Sequence, residues 1–321
     1  RSNNSTSIFR LGDSSFEYFD NINANHITDI EFIDMNDDLV LDIIVNSWQE
    51  NSNNNYIRLF NSNPQSGGFN NVFDGPGLYQ GKIELIDINN DGIEEIVHAG
   101  RTNEQNNSEF KIYVYEQSGN SFNGTPLDVS DQISGFRRGA FAFGNLDLDE
   151  DIDFGITGLS NFGGDSSIYL NETVFTETVA PIFTLTSIDF PAAYNSTLDF
   201  IDFDADGDLD IVITGTGNGN MFKILSNNGL QGEELNFTEV ENTGLSPITS
   251  ANVDFGDYNA DGYLDILYTG NVTGEGEVTK LMELDPSTLS YIESDFDLSD
   301  IVNASIAFGD VDGDDDLDFT V

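Results

Sequence analysis

Apolar and polar residues alternate along most of the chain in short runs, a pattern that is typical of half-buried β-strands. Runs such as ITDIEFI, KIELI and TLDFI mix apolar with polar residues, and fuller apolar runs follow them: IIVNS, IVHAG, FGITG, IVITG and ILYTG. Gly, Asn, Asp and Ser separate these runs, and no long segment has the 3.6-residue period of an amphipathic helix. The pattern therefore predicts an all-β protein with little helix.

An acidic segment lies between each mixed run and the next run, and its pattern recurs six times. The six segments, here called the acidic loops, begin at residues 34, 87, 145, 202, 257 and 310, so the repeat length is 53 to 58 residues. The clearest copies are DFDADGDLD from Asp202 and DYNADGYLD from Asp257. Oxygen-bearing side chains occupy positions 1, 3, 5 and 9 of every copy. The chain is therefore built from repeats.

Two more strand-like runs lie between successive acidic loops, so each full repeat contains four strands. Four strands in a repeat of this size are typical of a β-propeller blade, whereas a β-helix has much shorter repeats and a sandwich domain needs about 100 residues. We predict one propeller domain over residues 1–321. Its six four-stranded blades are predicted at about 26–74, 81–128, 136–180, 196–241, 249–296 and 304–321.

The segment 304–321 supplies two strands, and residues 7–20 supply two more at the other end of the chain. The N-terminal strands are therefore expected to complete the last blade and close the ring. The final run ends at Val321, where three of the other repeats continue to TG. A seventh blade beyond this residue is the alternative.

The charge balance is strongly acidic, with 58 acidic and 10 basic residues and a net charge of −48. Nucleic acids and anionic membrane surfaces would be repelled, so we expect no nucleic-acid partner. No apolar run reaches the length of a membrane span, so membrane insertion is not expected. The composition favours a salty or calcium-rich extracellular setting. We expect a secreted or cell-surface module that is part of a larger polypeptide.

Carboxylates crowded on a tight loop are unfavourable unless a cation neutralises them. Oxygen atoms at alternate positions with glycine at position 6 are typical of a Ca²⁺ loop. The predicted side-chain ligands in the 202 loop are Asp202, Asp204, Asp206 and Asp210. The carbonyl of Asp208 is predicted to bind as well, while its side chain points to solvent. Gly207 is expected to adopt a positive φ that bends the loop around the ion.

The same reasoning predicts up to six Ca²⁺ ions. The other predicted ligands are Asp34, Asn36, Asp38, Asp42, Asp87, Asn89, Asp91, Glu95, Asn145, Asp147, Asp149, Asp153, Asp257, Asn259, Asp261, Asp265, Asp310, Asp312, Asp314 and Asp318. The 34 loop is predicted to bind weakest or to be distorted, because Leu39 replaces the glycine. One alternative is an EF-hand, which requires Glu where the 202 loop has Ile213. The other is a solvated acidic turn without an ion.

Three Phe-Gly pairs, Phe143-Gly144, Phe255-Gly256 and Phe308-Gly309, directly precede acidic loops, and TG follows at 157–158, 214–215 and 269–270. With these features the chain resembles the FG-GAP/VCBS repeats, the calcium-loop propellers also seen in the integrin α-subunit head, although the GAP element is absent. The resemblance implies a calcium-binding β-propeller whose partners bind on the face opposite the calcium loops. The family includes adhesins, lectins and domains attached to polysaccharide-degrading enzymes.

Candidate ligand contacts on that opposite face are Trp48, Arg101, Arg137, Arg138, Phe162 and Tyr194. The favoured function is a non-enzymatic binding or adhesion module for a glycan or protein ligand. The alternatives are a structural spacer in a surface fibre and a polysaccharide lyase that uses His98 with Arg101. Otherwise, His98 is expected to replace the Thr of the TG pairs in its repeat.

Overall fold

The computed structural model describes residues 6–11, 16–22, 26–36, 38–48, 55–62, 68–103, 110–133, 137–160, 163–172, 181–188, 190–231, 234–296, 298, 300, 305–310 and 316–320. These residues form 24 β-strands and one three-residue 3₁₀ helix, Ser130–Gln132. The predicted all-β fold with little helix is therefore confirmed. None of the described segments is a helix long and apolar enough to cross a membrane.

The chain divides into two compact units, and the first comprises residues 1–135 and 174–181. It contains three antiparallel sheets, of which the first is a hairpin of two strands predicted over residues 7–20. The hairpin consists of β1 (Thr6–Leu11) and β2 (Phe16–Ile22). The second sheet consists of β3 (Ile27–Ile33), β4 (Asp42–Trp48), β5 (Asn55–Ser62) and β6 (Phe69–Pro76). The third consists of β7 (Tyr79–Ile86), β8 (Glu95–Arg101), β9 (Phe110–Tyr115) and β10 (Leu127–Asp128).

The second unit comprises residues 136–173 and 182–321. Its first sheet consists of β11 (Arg137–Gly144), β12 (Asp153–Ser160), β13 (Gly163–Asn171) and β14 (Phe183–Leu185). The next four strands are β15 (Leu198–Ile201), β16 (Asp210–Gly217), β17 (Gly219–Gln231) and β18 (Glu234–Glu239). They are followed by β19 (Ile248–Gly256), β20 (Asp265–Val272), β21 (Gly276–Asp285) and β22 (Ser290–Glu293). The last pair is β23 (Ala307–Gly309) and β24 (Asp318–Thr320).

Five repeats thus contain four strands, each paired antiparallel with the next along the chain. The fourth and fifth repeats join in one eight-stranded sheet through a single pair, Met221 and Ile248. This regular order is consistent with propeller blades. The number of blades, the closure of a ring and a single domain over residues 1–321 stay predictions.

The second strand is the most buried strand in each of the first five repeats, and this explains its continuous apolar sequence. Six successive residues of β8, β16 and β20 are buried, so both faces of these strands are covered. The covering side chains come from neighbouring sheets of the same unit. Tyr115 of the second repeat packs with Ile57 of the first, and Tyr268 of the fifth repeat packs with Val212 of the fourth. The hydrophobic core therefore lies between the sheets.

Candidate metal-binding loops

In the first five repeats the acidic loop joins the first and second strands, and its described residues fold around the side chain at position 1. In the 202 loop, Asp202 Oδ1 accepts a hydrogen bond from the backbone N of Asp206 at 3.0 Å. Asp202 Oδ2 accepts one from the backbone N of Gly207 at 3.1 Å. The same pair of bonds closes the loops that begin at Asp34, Asp87 and Asp257. The predicted pattern therefore specifies one loop geometry in several repeats.

Left-handed residues bend the acidic loops of the first five repeats. At position 6, Gly207 has φ 97°, as predicted, and Leu39 and Glu150 adopt φ values of 65° and 79° without being glycine. The 34 loop also has both hydrogen bonds to the side chain of Asp34, so its described backbone matches that of the loops at 87, 202 and 257. Holding a leucine in this conformation is unfavourable by about 1–2 kcal/mol. Weaker ion binding by this loop stays a prediction that rests on this strain.

Position 4 is also left-handed, which the sequence did not indicate. Ala205 has φ 60°, Ala260 has 58° and Leu148 has 63°. In the loops at 87, 145, 202 and 257, left-handed residues on either side of position 5 turn several backbone N–H groups toward the loop interior, where the carboxylates accept them.

The carboxylate at position 9 is buried beneath the loop. Asp210 is 0% exposed, and its Oδ2 accepts from the backbone N of Phe203 at 3.0 Å. Its Oδ1 accepts from the backbone N of Asn227 on β17 at 2.8 Å. Asp42 and Asp153 make the corresponding two bonds in their repeats. Position 9, predicted as a ligand, therefore also ties its loop to the third strand.

Burial raises the pKa of the carboxyl group at position 9 in the first five acidic loops. Desolvation is the largest cause, and it raises the pKa of Glu95 to about 8 and that of Asp210 to about 7. The charges of loop neighbours, Asp91 for Glu95 and Asp204 for Asp210, raise the pKa further. Ionised side chains here are unfavourable without a compensating positive charge.

The 202 loop brings three predicted ligands together. One oxygen atom from each of Asp202, Asp204 and Asp210 lies within 4.8 Å of the other two. Asp206, also predicted, is exposed and accepts a hydrogen bond from the backbone N of Asp208 at 3.2 Å. Asp204 Oδ1 is buried and has no hydrogen-bond partner among the described residues. A cation coordinated by oxygen atoms fits such a site.

The prediction that the side chain of Asp208 points to solvent is wrong. Its Oδ1 is buried without a hydrogen-bond partner in the described structure. Desolvation and the nearby charges of Asp206, Asp204 and Asp202 raise its pKa to about 6. The carboxyl group therefore turns toward the cluster, because the left-handed residue before it reverses the direction of the chain.

Asp151 is a similar residue that sequence reasoning missed. It occupies position 7 of the 145 loop, is 5% exposed, and its Oδ1 has no partner in the described structure. Desolvation and the charges of Asp149 and Asp153 raise its pKa to about 8. Asp147 Oδ1, a predicted ligand atom, is also buried without a described partner. An acidic residue occurs at position 7 in both the 145 and the 202 loops, and this recurrence could have indicated that its side chain belongs to the site.

The remaining predicted ligands are placed as follows. Asn36 Oδ1 is buried without a partner in the described chain, and Asn89 and Asn259 accept backbone N–H groups within their loops. Asp312 and Asp314 lie outside the described residues, while Asp310 and Asp318 flank them. The sixth loop therefore stays a prediction.

The candidate ligand contacts on the opposite face are only partly described. Phe162 and the side chains of Trp48 and Arg137 lie outside the described structure. The Arg101 guanidinium lies 5.0 Å from the centroid of the Tyr79 ring. Tyr194 pairs with Thr216. Asn195, the residue after Tyr194, donates its backbone N–H to the backbone carbonyl of Arg138 at 2.7 Å. The exposed Arg138 and Tyr194 therefore lie on adjacent segments.

The expectation that His98 replaces the Thr of TG is wrong. Ala99 is the fourth residue after position 9, where the third and fourth repeats have Thr157 and Thr214, and His98 corresponds to Ile213. His98 is fully buried, and neither ring nitrogen has a partner in the described structure. Desolvation lowers its pKa to about 3.

Residues 202–268 match the FG-GAP-like repeat family. The FG-GAP-like match includes the acidic loops at 202 and 257 and amounts to 67 of the 321 residues. No curated protein is significantly similar to the chain.

Proposed function

We propose that the chain is a calcium-stabilised β-propeller of FG-GAP-like repeats. In this proposal it serves as an extracellular binding or adhesion module for a glycan or protein ligand, within a larger secreted or surface protein. The observation that carries the calcium part is the convergence of Asp202, Asp204 and Asp210 within 4.8 Å. The match over residues 202–268 covers this cluster.

The chemistry of the loop favours Ca²⁺ over Mg²⁺. The candidate ligands are carboxylate oxygens on an irregular loop, and Asp204 Oδ1 and Asp208 Oδ1 are buried without described partners. Ca²⁺ accepts six to eight oxygen ligands at variable geometry, whereas Mg²⁺ requires a near-octahedral site and keeps much of its water. Ca²⁺ would compensate the charges that raise the pKa of Asp208 and Asp210.

Chelation tests the calcium part of the proposal. An ion that binds the folded state alone stabilises it by about 2.7 kcal/mol per site at a concentration 100 times its Kd. We expect the melting temperature to fall when EGTA replaces CaCl₂ and to recover with CaCl₂ but not with an equal concentration of MgCl₂. An unchanged melting curve after thorough chelation would refute the calcium part.

The binding part of the proposal is supported by charge and by the resemblance, and it needs its own test. The calcium-loaded protein would be applied to a glycan array and to an array of extracellular proteins. Saturable binding to one ligand class is the expected result. No ligand on either array, together with end-to-end self-association in analytical ultracentrifugation, would contradict a binding role.

A further inference from the structure

A cavity of about 550 Å³ opens between the third and fourth repeats of the chain, which both belong to the second unit. One wall is the start of β13 at Asp165 and Ser166, directly after the connection between the second and third strands. Another wall is the segment around Phe190 that leads from one repeat to the next, and Phe237 and Glu239 of β18 complete the lining. The volume is within the usual range of ligand sites, about 300–1,000 Å³.

The floor of this cavity is apolar. Phe190 is 3% exposed and Leu225 is 5% exposed, and both belong to the hydrophobic core between the two repeats. Phe237 is half-buried and packs against the same core. Most of the surface that the lining exposes is nevertheless polar, so a ligand would meet mainly polar groups, with Phe237 as the most accessible apolar side chain above this core.

The polar groups of the lining are nearly all hydrogen-bond acceptors. Among the described lining residues, Ser166 has the sole side-chain donor, and its hydroxyl already donates to the Phe190 carbonyl at 2.6 Å. Asp165 is exposed, and its Oδ1 accepts the backbone N–H of Ser166 at 3.0 Å. No described Lys or Arg forms an ion pair with Asp165. Glu239, in contrast, is already paired with Lys223 at 2.6 Å.

The shortage of free side-chain donors on the lining favours some ligand classes over others. A saccharide presents acceptors as well as donors, and its acceptors would find no free side-chain donor on the described lining. Ammonium and guanidinium groups donate hydrogen bonds and accept none. They also carry the positive charge that would pair with the exposed carboxylate of Asp165. Their aliphatic stems cover apolar surface, and aromatic faces attract the cation. The net charge of −48 would favour the approach of a cationic ligand.

We propose that this cavity receives a Lys or Arg side chain of a partner protein, with its stem on Phe237 and its cationic group at Asp165. The site rests on the proposed binding function and specifies its ligand as a basic segment of a protein. Asp165 would bind the cationic group directly. The ion pair of Glu239 and Lys223 would form the opposite edge of the cavity.

The test uses the full chain, loaded with calcium, at physiological salt. A blocked Gly-Gly-Lys-Gly-Gly peptide would be titrated while amide NMR signals of Gly164 and Ser166 are followed. The same peptide with an acetylated lysine keeps the stem and removes the charge. We expect saturable shifts at both amides with the lysine peptide and at least fivefold weaker binding by the acetylated one.

Variants locate the interaction. Asp165→Asn should weaken the lysine peptide at least fivefold, because it removes the ionic partner from an exposed position without disturbing the core. Glu277→Gln removes an exposed charge on β21, outside the lining, and should change affinity less than twofold. Phe237→Leu keeps an apolar side chain and should weaken binding moderately.

Several results would overturn the inference. These are no shift at Gly164 and Ser166, equal effects of Asp165→Asn and Glu277→Gln, or equal binding of the acetylated peptide. Saturable shifts of the same amides with maltohexaose would assign the cavity to saccharides instead. Melting the same sample with and without EGTA separates this outcome from failure of the calcium proposal.

Discussion

The Leu209 side chain lies directly against the α-carbon of Gly144 in the preceding repeat. A Cβ added to Gly144 would be 2.6 Å from Leu209 Cδ1 and 3.3 Å from Phe200 Cδ2. Gly256 has the same relationship with Leu317 in the repeat that follows it, at 2.9 Å. The glycine of each of these Phe-Gly pairs thus provides the space into which the next repeat packs a leucine.

Substituting this glycine should destabilise the protein. Gly144→Ala forces Leu209 and Phe200 to shift within a packed interface, and overpacking of this kind is unfavourable by about 1–3 kcal/mol. Gly124→Ala is the matched control, because a Cβ there meets no atom within 4 Å and its φ is not left-handed. Urea unfolding in excess Ca²⁺ would measure both. Equal stability of the two variants would show that Leu209 and Phe200 can move away from the added methyl group without lowering the free energy of unfolding.

Gly309 allows a test of the proposed ring. It completes the third Phe-Gly pair, and a Cβ there would meet no described atom within 4 Å. Phe32 and Leu41 hold in the first repeat the places that Phe200 and Leu209 hold in the fourth, yet they are 55% and 58% exposed. A closed ring requires such surfaces to be covered.

We therefore expect Gly309→Ala to destabilise the protein by about 1–3 kcal/mol, as Gly144→Ala does, if the ring closes in solution. The same urea titrations, with Gly124→Ala as the baseline, would measure this change. A difference of less than about 0.5 kcal/mol from the baseline is the usual result for an open surface and would contradict closure.

Two aspartates of one loop should respond differently to substitution. Asp204→Asn removes a ligand charge but leaves the backbone bonds of Asp210 intact, so it should reduce the Ca²⁺-induced rise in melting temperature with little change in EGTA. Asp210→Asn converts one acceptor of backbone N–H groups to a donor and should lower stability by about 1–3 kcal/mol even in EGTA. Calorimetric melting with and without Ca²⁺ distinguishes them. Identical behaviour of both variants in EGTA would contradict the structural role of Asp210.

His98 should make the protein sensitive to acid. Its pKa is lowered to about 3 in the fold, so below the ordinary value of 6.5 the unfolded chain binds a proton that the folded chain does not. Stability should therefore fall as pH decreases from about 6.5 to 3, by at most about 1.4 kcal/mol per unit from this group. His98→Val introduces the residue found at the equivalent Val45. The difference between wild type and variant should grow toward low pH, and a pH-independent difference would contradict this origin.

The sequence predicted the elements that depend on local pattern. The strands, the acidic loops and the left-handed Gly207 all follow from periodicity and residue type. The left-handed conformations of Ala205 and Leu148 could not be predicted, because the hydrogen bonds of the whole loop impose them on residues that do not favour them.

Burial was the other feature that the pattern did not reveal. Asp208 looks like a surface residue in sequence, but the turn directs its carboxyl group inward. His98 seemed to align with a threonine, and the pairing of β8 with β9 places it one residue earlier, in the core. Both errors concern the placement of a side chain, which depends on turn geometry at Asp208 and on strand register at His98 rather than on residue type.

The buried carboxylate at position 9 separates the folding of a repeat from its ion chemistry. Asp42, Asp153 and Asp210 hold backbone groups of the loop and of the third strand whatever occupies the loop interior. Positions 3 and 5, which do not hold the sheet, can therefore diverge during evolution while the sheet keeps its anchor. Duplicated repeats of this kind can gain or lose an ion individually, so a single array can come to contain both metal-dependent and metal-independent members.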